Sequence, residues 1–228
     1  MAELITGLGA ERIRANLERV RSQLTAAAER CPHARSSSDA SAVEILAATK
    51  YVCCEELPVL AEAGIRLVGE NRAQDLQQKV AAHGELFEWD FIGTLQSRRV
   101  RAIVPNVRLI HSVASDSALR ELERHRELAR PGMRILVEVN LAGEPGKAGI
   151  APEQLDAFIE RSAVPFAGLM TMPPQSRDPE DSRPWFAALR ELARSRGLQQ
   201  LSMGTSQDYV VAVEEGATIV RIGTKLYD

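Results

Sequence analysis

The feature that most constrains the fold is a repeat in which a short apolar run precedes a longer amphipathic segment. The runs are nearly continuous in apolar residues, which is typical of strands in a parallel sheet covered by helices. Eight runs occur, and each but the last is followed by a helical pattern. This order predicts an α/β fold, a single (β/α)8 TIM barrel, with an open doubly wound sheet as the alternative. The predicted strands are Ile45–Lys50, Arg66–Glu70, Asp90–Leu95, Arg108–Val113, Arg134–Asn140, Phe166–Met172, Gln200–Gly204 and Thr218–Gly223.

An extra helix is predicted ahead of the barrel, over about residues 10–30. Apolar residues recur there at a spacing of three to four, as on one face of a helix; they are Ile13, Leu17, Val20 and Leu24. The following stretch, residues 31–41, is rich in Pro and Ser and predicts a loop. We therefore expect residues 1–228 to form one domain.

Composition excludes several classes of partner. A net charge of −3 and an aromatic content of 4% argue against binding to nucleic acid or to an anionic membrane surface. No apolar run is long enough to span a membrane, and the N-terminus lacks the pattern of a secretory signal. The cysteines (Cys31, Cys53 and Cys54) have neither disulfide-framework nor metal-site spacing. We expect a cytoplasmic protein without a metal site.

In a barrel of this type, functional groups lie at the carboxyl ends of the strands. Lys50 ends the first predicted strand and is the only charge in its apolar run after Glu44. We expect poor solvation there to lower its pKa, leaving a neutral amine that can attack an aldehyde. The alternative is a lysine that extends to solvent at the barrel rim.

The last two strands end in residues suited to an anion. Ser202–Ser206 and Arg221–Thr224 supply hydroxyls and glycine N–H groups, and loops at these positions of a barrel often bind phosphate. The alternative is that the glycines form tight turns and the hydroxyls cap helices. Because closure places the eighth strand beside the first, Arg221 and Lys50 should share one mouth. A ligand with an aldehyde and a phosphate, such as pyridoxal 5′-phosphate (PLP), would suit both groups.

Several stretches resemble a known family. They are ILAATK, GIRLVGENRAQDL, WDFIGTLQSRR, VEVNLAGEPGKAGI, FAGLMTM and LSMGTSQDYVVAVEEGATIVRIGT, and together they span roughly Ile45–Thr224. On these motifs the chain resembles the YggS/PROSC family of PLP homeostasis proteins, which is related to the N-terminal barrel of alanine racemase.

The resemblance implies a cofactor site. It places PLP on Lys50 as a Schiff base, Asn71 beside the ring, and Ser202, Met203, Gly223 and Thr224 at the phosphate. Arg221 would face the pyridine nitrogen and disfavour its protonation, which weakens the ring as an electron sink. The resemblance therefore implies a non-catalytic protein of PLP homeostasis, with PLP and apo PLP-dependent enzymes as partners, and we expect a monomer.

The chain departs from the family pattern in places. Thr94 stands where most members have histidine, and Lys225 is an extra cation beside the phosphate loops. Lys147 matches a frequent family lysine and is either a secondary cofactor contact or a solvated loop residue. For Glu70 we expect a structural ion pair with Arg72 or Lys50, and for His111 a core histidine with satisfied hydrogen bonds.

The runner-up function is a small fold-type III PLP enzyme of the amino-acid racemase kind. Alanine racemase needs a second domain that supplies a catalytic tyrosine, and we expect no such domain because the chain ends five residues after Gly223. A third reading is an interaction module for an apo-enzyme. Racemisation of alanine, or a stable complex, would distinguish these readings from PLP storage.

Overall fold

The computed structural model describes residues 4–31 and 43–228. Eight parallel strands follow one another around a closed barrel, and β8 pairs with β1 to complete it. The predicted (β/α)8 barrel is therefore confirmed. The strands are β1 Glu44–Ala48, β2 Leu67–Glu70, β3 Glu88–Phe91, β4 Leu109–Val113, β5 Arg134–Glu138, β6 Phe166–Met170, β7 Gln200–Thr205 and β8 Ile219–Ile222.

Helices surround the barrel. They are α1 Ala10–Glu29, α2 Leu57–Glu62, α3 Ala73–His83, α4 Val100–Ile103, α5 Asp116–Arg124, α6 Leu155–Glu160, α7 Arg183–Arg194, α8 Tyr209–Glu214 and α9 Thr224–Tyr227. The prediction that no helix follows the last strand is wrong. A short helix, α9, forms there because Leu226 and Tyr227 bury their side chains against the barrel and α1.

The predicted N-terminal helix is confirmed as α1, and its apolar face is buried at Ile13, Leu17, Val20 and Leu24. The side chain of Asn16 donates to the carbonyl oxygens of Leu226 and Asp228, both at 3.2 Å, which ties α1 to the C-terminal residues. From residue 32 on, the predicted loop lies outside the described residues.

Two apolar layers hold the barrel together. The larger one fills the space between the sheet and the helices. A smaller cluster lies inside the barrel and consists of Leu46, Leu109, Leu136, Met170 and Ile219. Burying these side chains drives folding, since each contributes on the order of 1.5–3 kcal/mol relative to exposure. Within the described ranges, no helix combines the length and the apolar character needed to cross a membrane.

Candidate functional site

Lys50 lies at the carboxyl-end mouth but not in a strand. β1 ends at Ala48, and the Thr49 carbonyl accepts a hydrogen bond from the Val52 N–H at 2.8 Å, so Lys50 and Tyr51 form the centre of a tight turn. The Lys50 side chain is exposed, with Nζ 5.0 Å from the centroid of the Tyr51 ring. The expectation that a strand-end position desolvates this amine is wrong, because the strand ends before it.

Arg221 lies inside the barrel on β8, next to β1, where it pairs in register with Leu46. Its guanidinium is nearly fully buried and donates to Ser202 Oγ at 2.5 Å and to the Thr171 carbonyl at 3.1 Å. The Arg221 nitrogen that bonds to Thr171 also lies 2.9 Å from Sδ of Met172, an exposed residue at the rim of the barrel. Closure therefore puts Arg221 and the turn that carries Lys50 at the same mouth of the barrel, as predicted.

A chain of hydrogen bonds runs from Arg221 into the barrel. His111, fully buried, has Nδ1 2.8 Å from Ser202 Oγ and Nε2 3.1 Å from Asp90 Oδ2. Burial lowers the pKa of His111 despite the opposing effect of Asp90, so the ring is neutral at pH 7. Nε2–H then donates to Asp90, Nδ1 accepts from the Ser202 hydroxyl, and that hydroxyl accepts from Arg221. The prediction of a satisfied core histidine is confirmed.

Glu138 at the end of β5 is a residue that the sequence reasoning missed. Its side chain is buried, and burial raises its pKa while Arg221 and Lys147 oppose the rise. Burial in turn lowers the pKa of Arg221 to about 10, with Asp208 and Glu138 opposing the fall, so Arg221 stays a cation at neutral pH. The sequence did carry a sign of it, since a carboxylate inside the apolar run RILVEVN is unusual.

The loops after β7 and β8 form a cradle. Ser206 Oγ accepts a hydrogen bond from the Gly223 N–H at 3.0 Å. Beside it lies a cavity of about 610 Å³ whose lining includes Ser206, Thr224, Lys225 and Arg177. No acidic partner for either of these two cations occurs among residues 4–31 and 43–228. Two hydroxyls, a nearby backbone N–H and two unpaired cations make this cavity suited to an anion.

The side chains of two predicted phosphate residues, Ser202 and Met203, do not line this cavity. The Ser202 hydroxyl faces the barrel interior and is engaged with His111 and Arg221. The Met203 side chain is fully buried in the layer between sheet and helices. Strand alternation explains both positions, because successive side chains of β7 point to opposite faces. Ser206, four residues beyond Ser202, is the serine at the cradle.

Asn71 follows β2 at the same mouth and is partly buried. Its backbone lies against Gly93, where an added Cβ would come within 2.1 Å of the Asn71 carbonyl oxygen. Only glycine permits this approach, so Gly93 fixes how far Asn71 sits from the loop after β3. Thr94, next in that loop, is exposed.

The ion-pair prediction for Glu70 is confirmed, but both partners proposed for it are wrong. Glu70 is fully buried and pairs with Lys79 of α3 at 2.6 Å. Arg72 and Lys50 are exposed instead, because Glu70 points outward into the layer between the sheet and the helices. Lys147 pairs with Glu144 in its own loop.

Nearly the whole chain matches a known protein domain. Residues 10–228 match the family model described as the N-terminal domain of alanine racemase. That match extends over α1, all eight strands and α9, so the mouth just described is the mouth of an alanine racemase-type barrel.

Relatives narrow the class. A PLP homeostasis protein of Aquifex aeolicus is 39% identical over 204 residues, covering 85% of this chain and 90% of the relative. One of Vibrio cholerae is 33% identical over 229 residues, covering 94% and 95%. The structure of PipY from Synechococcus elongatus with PLP bound superposes with a TM-score of 0.76 at 31% identity, covering 95% of this chain and 100% of that one. The chain belongs to the family of PLP homeostasis proteins.

Proposed function

We propose that this protein binds PLP at the carboxyl-end mouth of the barrel, holds it on Lys50 as a Schiff base, and serves PLP homeostasis inside the cell. The observation that carries the proposal is the shared mouth of an exposed lysine, a buried arginine and an anion cradle on adjacent strand ends. The relative PipY, solved with PLP bound, supports the same ligand. We further propose that the protein acts as a monomer that passes PLP to apo PLP-dependent enzymes.

Each part of the cofactor meets a suitable group. Lys50 offers an amine that solvent and ligand can reach. We propose that the hydroxyls of Ser206 and Thr224 donate to the phosphate and that Lys225 beside them supplies a positive charge, while the Gly223 N–H holds Ser206 in place through its bond to Oγ. We propose that Arg221 faces the pyridine nitrogen and that Asn71 lies beside the ring.

Ser202 then acts through Arg221 rather than on the phosphate, since its hydroxyl is already bonded to that guanidinium. We propose no contact for the Met203 side chain, which is buried in the outer layer.

When bound, PLP supplies an aldehyde that condenses with a primary amine and releases water. Holding this reactive group on Lys50 keeps it from other amines in the cell. Arg221 is a permanent cation at pH 7, so it disfavours a proton on any nitrogen that faces it. We propose that the bound ring is therefore a weaker electron sink, which disfavours carbanion chemistry.

One observation favours the second candidate, a small fold-type III PLP enzyme. Glu138 is a buried carboxyl near Arg221 with a raised pKa, and such groups are candidates for acid–base chemistry. An amino acid bound at the mouth could exchange its α-proton with this carboxyl. The two functions therefore differ in whether Glu138 exchanges protons with a substrate.

The test is to load the protein with PLP, remove the excess by gel filtration, and incubate it with L-alanine in D₂O. We expect PLP to stay on the wild-type protein and no deuterium to enter the α-position of alanine. Exchange that disappears in Glu138→Gln would favour the enzyme, and failure to retain PLP would reject both functions. Transfer is tested by adding an apo PLP enzyme and following the recovery of its activity.

A further inference from the structure

A second lysine and an acid lie behind the turn that carries Lys50. Glu70 of β2 and Lys79 of α3 form an ion pair at 2.6 Å with side chains 0% and 8% exposed. The pair lies on the helix side of the sheet and takes no part in the mouth described above. It does, however, touch the residue immediately before Lys50.

Thr49 is that residue, and it is fixed through every polar group it has. Its N–H donates to the Gly69 carbonyl at 3.0 Å, and its hydroxyl donates to Glu70 Oε1 at 2.6 Å. Its carbonyl oxygen accepts from Lys79 Nζ at 2.8 Å. That carbonyl is part of the peptide bond between Thr49 and Lys50. Because a peptide bond is planar, the direction of the carbonyl fixes the orientation of the Lys50 N–Cα bond, and so of the backbone that carries the side chain.

The same carbonyl oxygen also closes the turn, because it accepts the Val52 N–H at 2.8 Å. Two donors, one charged and one from the backbone, therefore hold one oxygen. A hydrogen bond from a charged donor is roughly twice as strong as a neutral one, so Lys79 is the stronger of the two restraints.

Stability alone is a weak reason for such a pair. Replacing a buried ion pair with apolar residues of similar volume is often neutral or stabilising, since desolvation offsets the attraction. Glu70 Oε2, moreover, has no hydrogen-bond partner among the described residues, so the carboxylate is not fully satisfied. The pair and its bonds to Thr49 instead restrain the local geometry.

We infer that Lys79, paired with Glu70, is a positioning residue for Lys50: it holds the Thr49 carbonyl and thereby orients the turn that presents the amine to the cofactor aldehyde. The inference rests on the proposed attachment of PLP to Lys50. Lys79 itself does not contact the cofactor, because it lies behind the sheet. Its loss should slow attachment at Lys50 while leaving the rest of the site intact.

The test compares wild type with Lys79→Met by mixing each with PLP, quenching with borohydride at set times and mapping the labelled peptide. We expect attachment at Lys50 to slow by about tenfold, since a misplacement of about 1 Å can cost up to about a hundredfold in rate. The Kd of pyridoxamine 5′-phosphate, which has no aldehyde, should change less than about twofold. Exchange of the Val52 amide with D₂O, measured without cofactor, should become faster.

The control is Arg190→Met on α7, which removes one of the two largely buried arginine partners of Glu215 and leaves Arg183 as the other. It should lower stability without slowing attachment. If Lys79→Met does not fold, the double variant Glu70→Gln/Lys79→Met removes both charges and avoids an unpaired buried carboxylate.

Three results would overturn the inference. One is attachment at the wild-type rate in the folded Lys79 variant, and another is slowing no greater than in Arg190→Met. The third is an equal loss of pyridoxamine 5′-phosphate binding, which would mean general loosening of the mouth. If wild type itself gains no label at Lys50, the proposed function fails first, and that outcome is distinct because it appears before any variant is compared.

Discussion

Removing Asp90 should be among the most damaging single changes to this barrel. Its carboxylate is fully buried and accepts from Arg108 Nε at 3.1 Å, from another Arg108 nitrogen at 2.9 Å, and from His111 Nε2 at 3.1 Å. Asp90→Ala leaves His111 without this acceptor and leaves Arg108 with Glu44 alone. The damage therefore comes from the groups left unpaired rather than from the loss of packing where the carboxylate was.

Breaking a buried pair by removing one partner costs about 3–5 kcal/mol. A domain of ordinary stability has about 5–15 kcal/mol in total, so the variant should be close to unfolding. The assay is urea denaturation without cofactor at pH 7. Arg14→Ala is the control, because its pair with Glu11 is solvent-exposed and should contribute only about 0–1 kcal/mol.

The loss of stability on replacing Asp90 should also depend on pH. Burial alone would raise the pKa of Asp90, but hydrogen bonds from His111 and Arg108 hold it below its ordinary value. A carboxyl with a lowered folded-state pKa contributes stability above its unfolded pKa of about 3.9, and this is lost as pH falls through the folded pKa. The difference in unfolding free energy between wild type and Asp90→Asn should therefore shrink toward acid pH. An Asp90→Ala cost below about 1 kcal/mol, or a gap that does not change with pH, would refute the reasoning.

Two further changes can be predicted. Gly93→Ala should lower the free energy of unfolding by about 1–3 kcal/mol, because the added Cβ would lie 2.1 Å from the Asn71 carbonyl oxygen. Gly9→Ala is the control, since its Cβ would meet no atom within 4 Å. Thermal melting of both variants checks this, and equal melting temperatures would contradict it. Lys225→Gln should weaken PLP binding by roughly three- to tenfold at low salt and flatten its salt dependence, as expected for removal of one cation near a phosphate. An unchanged salt dependence would mean that Lys225 does not act on the phosphate.

The barrel could be predicted because its pattern is local. Eight apolar runs separated by helical segments leave few topologies, and closure then puts the ends of β1 and β8 together. The neighbouring positions of Lys50 and Arg221 follow from this order alone. The hydrogen-bonded state of His111 could also be predicted, since a histidine inside an apolar strand is buried and needs polar partners in the barrel core.

The exact strand ends could not be predicted, and the errors at the site come from them. The sequence predicts a first strand that extends to Lys50, but the strand ends at Ala48. The Thr49 carbonyl accepts from the Val52 N–H, so Lys50 lies in a turn and is exposed to solvent. At β7, the parity of the strand decides that Ser202 faces the barrel core and that Ser206, beyond the strand, reaches the cradle.

Contacts between the sheet and the helices could not be predicted from the sequence either. The acid Glu70 has several cations near it in the chain, and periodicity does not say which one it meets. Its partner, Lys79, becomes clear only when α3 packs on the outside of β2. Tertiary packing makes this choice, so it requires the structure.

The most direct test of the account is where PLP attaches. Wild type and Lys50→Ala are mixed with PLP, their absorption spectra are recorded, and each is reduced with borohydride before peptide mass mapping. We expect a red-shifted absorption band and a reduced label at Lys50 in wild type, and neither in the variant. An equal spectrum in both proteins, or a label on Lys147 or Lys225 instead, would contradict it.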